Sequence, residues 1–141
     1  MSKIIRNMSD LQLVFEILIE KAVKNACNRL LGTLQELIDT EFYDVFSPDY
    51  YQRTYSFWRS AVTEMLDKTC GQVFMDASAM DYGEFWSGEI QLQAANIGSH
   101  GGWITDSTKE HRFWDTFIEY CENNCVQILK EELQKQRIPI K

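Results

Sequence analysis

Two long stretches of helical periodicity, one at each end of the chain, constrain this sequence more than any other feature. In the first, apolar residues recur at Leu11, Phe15, Leu18, Ala22, Ala26, Leu30, Leu34 and Ile38. Steps of three and four place them on one face of a 3.6-residue helix, while Lys21, Lys24, Arg29 and Glu36 fill much of the remainder. Ser9 with Gln12 has the spacing of a capping box, so the helix is expected from about Asp10 to Glu41, with Gly32 as a weak point. A helix of that length spans ~45 Å, too long for a domain of this size to cover fully. Part of it is expected to project or to pack along a neighbouring subunit.

The second stretch follows a further capping box, Ser107-Thr108-Lys109-Glu110. Phe113, Trp114, Phe117, Ile118, Cys121, Cys125, Ile128, Leu129 and Leu133 then mark one face of a helix from about Thr108 to Gln136. Lys130, Lys135 and Arg137 gather at its end, where positive charge suits the helix dipole, and Pro139 stops it.

Between the helices the pattern changes. Pro48 ends the first helix and the junction Ser47–Tyr55 follows, with Tyr50, Tyr51, Arg53 and Thr54. Residues 56–79 mix β-branched, aromatic and polar types around Asp67-Lys68-Thr69-Cys70-Gly71. They are expected to form a β-hairpin with Gly71 supplying a positive φ, although Ser60–Lys68 also fits a short helix. Residues 80–105 hold five of the seven glycines, together with Trp86 and Trp103. Only Glu89–Gln93 alternates like a strand; the rest reads as a long loop of the kind that serves interfaces. The expected fold is α+β: a long N-terminal helix, a small antiparallel sheet of a hairpin plus one or two strands, and a long C-terminal helix packed on the sheet. The 141 residues are expected to form a single domain.

Charge narrows the function. The net charge of −7 divides into −2 over residues 1–47, −4 over 48–105 and −1 over 106–141. No basic cluster in the middle segment could neutralise phosphates, so specific nucleic-acid binding is not expected. An acidic surface instead repels DNA. Glu16 and Glu20 interrupt the first apolar run, which speaks against a signal peptide or a membrane span. Cys27, Cys70, Cys121 and Cys125 contain no C-x-x-C pair and are expected to be reduced and mostly buried. A zinc site from Cys121 and Cys125 with His100 or His111 would lack the usual spacing. No cofactor or metal is expected.

Catalysis finds no motif. Ser99-His100-Gly101-Gly102 resembles a fragment of an oxyanion loop, but no G-x-S-x-G elbow accompanies it, and a polar loop histidine is the simpler reading. His111 reads as a solvated helix residue. Phosphate and dinucleotide fingerprints are missing. A hydrolase built on His100 and a monomeric adaptor or immunity-like protein remain alternatives to a structural role.

The order of motifs is more specific than any one of them. The Tyr43–Thr54 junction with Ser47-Pro48 and Arg53-Thr54 follows a long helix. A hairpin, a loop with His100-Gly101, and a helix opening Phe113-Trp114-Asp115-Thr116-Phe117 and ending Lys135–Ile138 come after it. From about residue 9 to 138 this resembles the tail-completion, or head–tail joining, family of Hong Kong 97-type long-tailed bacteriophages. Tyr55 stands where many members have glycine. The resemblance implies a non-enzymatic virion protein, assembled in the host cytoplasm, forming a homo-oligomeric ring at the neck or tail end. Neighbouring neck or tail proteins would be its partners, and DNA would pass through without specific binding and without a membrane. In such a protein the junction residues Tyr50, Tyr51, Arg53 and Thr54 would orient the sheet against the first helix. Trp86 and Trp103 of the glycine-rich loop, with Phe113 and Trp114, are read as further interface or architectural residues, and the acidic middle segment is expected to face the channel.

Overall fold

The computed structural model describes residues 4–40, 56–80 and 113–138. The junction Ser47–Tyr55, the 81–112 stretch with Trp86, Glu89–Gln93, His100, Trp103 and His111, and the Ser107–Glu110 capping box lie outside the described residues. What is described is α+β, as the sequence leads one to expect.

Helix α1 spans Met8–Ile38. It begins two residues before the expected start because Asn7, not Ser9, is the cap: Asn7 Oδ1 accepts the Asp10 N–H at 2.9 Å. Asp10 reaches back to accept the Arg6 N–H at 3.0 Å, so its carboxylate also sits at the positive end of the helix dipole. Gln12 bonds Glu16 instead of closing a box. After Ile38 the turn widens through Asp39 and Thr40, with the Asp39 N–H shared between the Gln35 and Glu36 carbonyls.

A four-residue helix, α2 (Ser56–Arg59), leads into strand β1 (Ala61–Met65), and a turn returns the chain as β2 (Gly71–Met75). The strands pair antiparallel in the register Ala61↔Met75, Thr63↔Val73 and Met65↔Gly71. The hairpin is therefore shorter than 56–79: helical turns occupy Ser56–Arg59 and Ala77–Met80. The competing helix over 60–68 does not form, because Ala61, Val73 and Met75 gain a shared contact with α1 only in the extended form. The turn is held by Asp67, whose carboxylate accepts from the Thr69 N–H at 2.7 Å and from the Thr69 hydroxyl.

Gly71 departs from its expected role. It is the first residue of β2 and needs no left-handed backbone. A Cβ there would lie 2.6 Å from Cys27 Sγ and 3.1 Å from Met65 Sδ. The glycine is needed for the close approach of the sheet to α1.

Helix α3 (Phe113–Lys135) runs antiparallel to α1. Its first turns bring Phe113 and Phe117 onto Leu34, Ile38 and Ala61, and Trp58, Val73, Met75 and Trp114 close around them. Trp114 lies with its ring centroid 5.6 Å from that of Phe117. Burying each large apolar side chain here contributes roughly 1.5–3 kcal/mol. The C-terminal helix thus packs mainly along α1 and meets the sheet at this shared cluster. It ends at Lys135, ahead of Pro139. Arg137 takes φ 61°, and the Arg137 and Ile138 N–H groups bond the Gln134 and Leu133 carbonyls at 2.9 and 3.2 Å. This double closure is a Schellman motif, normally made with glycine at the left-handed position.

Candidate functional site

The helix faces decide which surfaces are free. On α1 the expected stripe is buried at Ala22, Ala26, Leu34 and Ile38 but not at Phe15, which is 39% exposed. The hairpin ends too soon to cover it. Its turn reaches only to the level of Glu16, which Lys68 Nζ approaches at 3.6 Å. The helix N-terminal to that point projects past the sheet.

This projecting end has an unusual composition. Leu11–Ile19 contains seven apolar residues in nine, interrupted only by Gln12 and Glu16, so the helix is apolar on every side. Such a helix is ordinarily buried. Here Met8, Leu13 and Ile17 join Phe15 at the surface, beside exposed Ile4 and Ile5. Leu13 and Ile17 lie on the face opposite the core stripe, so no extension of the hairpin could bury both sides. The pattern was readable in the run itself, but looking for a single periodic face hides it.

Farther along, α1 and α3 are locked by charge. Arg29 Nη1 donates to Glu131 Oε2 at 2.8 Å and to Glu132 Oε1 at 3.3 Å. Lys135 Nζ donates to the same Glu132 oxygen at 2.9 Å. Glu132 is buried, which is rare for a glutamate and is tolerated because two cations flank it. The Lys135 hydrogen bond, and then Arg29, hold its pKa below the ordinary glutamate value. Glu131 is lowered chiefly by its bond from Arg29, and Arg29 is raised chiefly by Glu131. Asp67 is lowered by the Thr69 N–H. Lys135 thus acts through a specific carboxylate as well as the helix dipole.

The four cysteines are free thiols, but they are not mostly buried as expected: only Cys27 is buried, Cys121 and Cys125 are half-buried, and Cys70 sits exposed in the hairpin turn. Burial, then the neighbouring Cys125, pushes the Cys121 thiol up, away from a reactive thiolate. Among the described residues no group of three or more His, Cys, Asp or Glu could hold a metal ion, and no helix is long and apolar enough to cross a membrane.

Of the residues marked from sequence, two fall among those described. Phe113 is wholly buried and serves packing between the helices and the hairpin, while Trp114 is half-buried beside it. Ile118, expected on the packed face, is turned outward and exposed. Tyr50, Tyr51, Arg53, Thr54, Trp86 and Trp103 lie outside the described residues. Asn7, the Gly71–Cys27 approach and the Arg29–Glu132 lock went unmarked. Their partners are chosen by geometry that a linear pattern does not carry.

The described residues therefore define a small α+β protein whose distinctive surface is an apolar helix end, exposed at Met8, Leu13, Phe15 and Ile17. The chain belongs to the YomN family, whose model matches residues 7–135. The family is phage-derived, and the chain is accordingly a phage-associated protein. No curated protein and no solved structure matches it. The neck and tail-completion resemblance finds its phage origin here and no neck family beside it.

Proposed function

We propose that this protein is a structural virion component of the phage neck or tail end, forming a homo-oligomeric ring that joins head to tail and lets DNA pass. The observation that carries the reading is the projecting start of α1, apolar on all sides and exposed at Met8, Leu13, Phe15 and Ile17. A subunit in a ring needs two different faces, and a projecting apolar helix supplies one that a neighbour's body can cover. Membership of a phage-derived family supports the setting, and the net charge of −7 suits a ring through which DNA slides without adhering. In this reading the role is architectural, with no catalytic step and no cofactor. Its partners are copies of itself and adjoining neck or tail proteins, and its place is the virion. Tyr50, Tyr51, Arg53, Thr54, Trp86 and Trp103 belong to its joints, so Arg53→Ala weakens folding or assembly and removes no chemistry.

Light scattering on the eluting protein, with particle co-purification, tests this. The parent chain is expected as a ring-sized assembly and in purified particles. Phe15→Glu with Ile17→Glu should give a folded protein that no longer forms the ring-sized assembly and is missing from particles. A parent chain that stays monomeric and outside particles overturns the reading in favour of a small adaptor using the same helix end.

A further inference from the structure

The face of α3 opposite its packed side carries a charge pattern that reverses about its middle. Val126, 63% exposed, lies at the centre. Four residues before it is Glu122 and four after it Lys130; eleven before it is Asp115 and eleven after it Arg137. The residues within the helix share one side of it, since steps of three, four, seven and eleven return to nearly the same angle. Arg137 follows directly in the closing turn. Glu122, Lys130 and Arg137 have no ion-pair partner among the described residues, and all three are exposed.

We infer that this face binds the same face of a second copy, antiparallel, about a two-fold axis through Val126. That axis sets Val126 on Val126 and Glu122 against Lys130 in both directions, with Arg137 over the acidic first half of the partner helix. A parallel pairing would instead set Lys130 on Lys130 and Glu122 on Glu122, which repel. An antiparallel copy is therefore the occupant whose charges fit, and the contact is isologous, closing at two subunits. Exposed Ile118 and half-buried Leu133 add apolar area to Val126. Surface ion pairs are individually weak and screened by salt, so the charges choose orientation more than strength. The association is modest and fades as the Debye length shrinks to ~3 Å near 1 M salt. This contact does not depend on the ring reading, because it uses α3 and not the start of α1.

The test is a charge exchange read by sedimentation and native mass spectrometry. Glu122→Lys alone and Lys130→Glu alone each oppose like charges twice, so each should weaken self-association about tenfold or more while the helical signal stays unchanged. An equimolar mixture of the two single variants should form a heterodimer, and the double variant should self-associate like the parent. A parent chain that never dimerises, single variants that dimerise as the parent does, or a mixture that fails to recombine would each overturn the inference. Ring assembly responds separately: it should survive these exchanges and be lost in Phe15→Glu with Ile17→Glu. Dimers without rings therefore sink the ring reading alone, and rings whose subunits show no charge-dependent pairing through α3 sink only this one.

Discussion

Replacing Gly71 with alanine should destabilise the protein by about 1–2 kcal/mol, and the figure follows from one approach distance. The new methyl group would stand 2.6 Å from Cys27 Sγ, 3.1 Å from Met65 Sδ and 3.4 Å from Val23 Cγ1. Comfortable contacts between heavy atoms of this kind begin at about 3.5 Å, so the sulfur of Cys27 is overlapped by nearly an ångström. Met65 can swing its flexible end away. Cys27 is buried on α1 and has little room to do so. The sheet must therefore lift from the helix or the helix must shift, and overpacking of this order costs about 1–3 kcal/mol. Alanine returns roughly 0.5–1 kcal/mol by restricting the unfolded chain, which leaves the net loss stated. Urea unfolding followed by far-UV circular dichroism would show a lower midpoint at unchanged slope. Cys27→Ala removes the clashing atom, so the double variant should be less destabilised than the sum of the singles by about 1 kcal/mol. If Gly71→Ala is neutral or stabilising, or if the two changes simply add, the close-approach argument is refuted and Gly71 is an ordinary turn glycine.

The remaining expectations use the same unfolding assay. Gly32→Ala should have the opposite sign, stabilising by about 0.5–1 kcal/mol, because a Cβ at Gly32 meets nothing within 4 Å in mid-helix; a loss would mean the site is crowded. Arg137→Gly, measured on dilute protein, should stabilise by up to about 1 kcal/mol by relieving the left-handed backbone at φ 61°. Glu132→Gln should cost about 1 kcal/mol, whereas Arg29→Met with Lys135→Met should cost roughly 2–3 kcal/mol by stranding a buried carboxylate; equal losses would contradict the lock. Because the folded pKa of Glu132 is depressed, its contribution is fully present above the ordinary value of 4.5 and is lost as pH falls through the lower folded value. Stability measured down that acid range should therefore fall less steeply in Glu132→Gln than in the parent.

Both long helices were legible from the sequence, and for a local reason. Periodicity and caps act within a few residues, so Ala22, Ala26, Leu34 and Ile38 announce a buried face without knowledge of what buries it. The hairpin's existence was legible too, from the turn residues Asp67–Gly71, although the Asp67 carboxylate and not a left-handed Gly71 makes the turn. Its extent was not, because the helical turn at Ser56–Arg59 and the strand at Ala61–Met65 compete on similar local preferences. Packing of Ala61, Val73 and Met75 on α1 decides between them.

Of the candidate surface, the sequence by itself determined that the first helix is too long for its domain. Only the tertiary structure decided where the cover stops: the hairpin turn meets α1 at Glu16, leaving Met8, Leu13 and Phe15 outside it. The same holds for Gly71, whose meaning depends on a helix more than forty residues earlier in the chain, and for Arg29, which finds its carboxylate 102 residues away. Local propensity is written along the chain. Close approach and burial of charge exist only between segments, so they appear only once the segments are brought together.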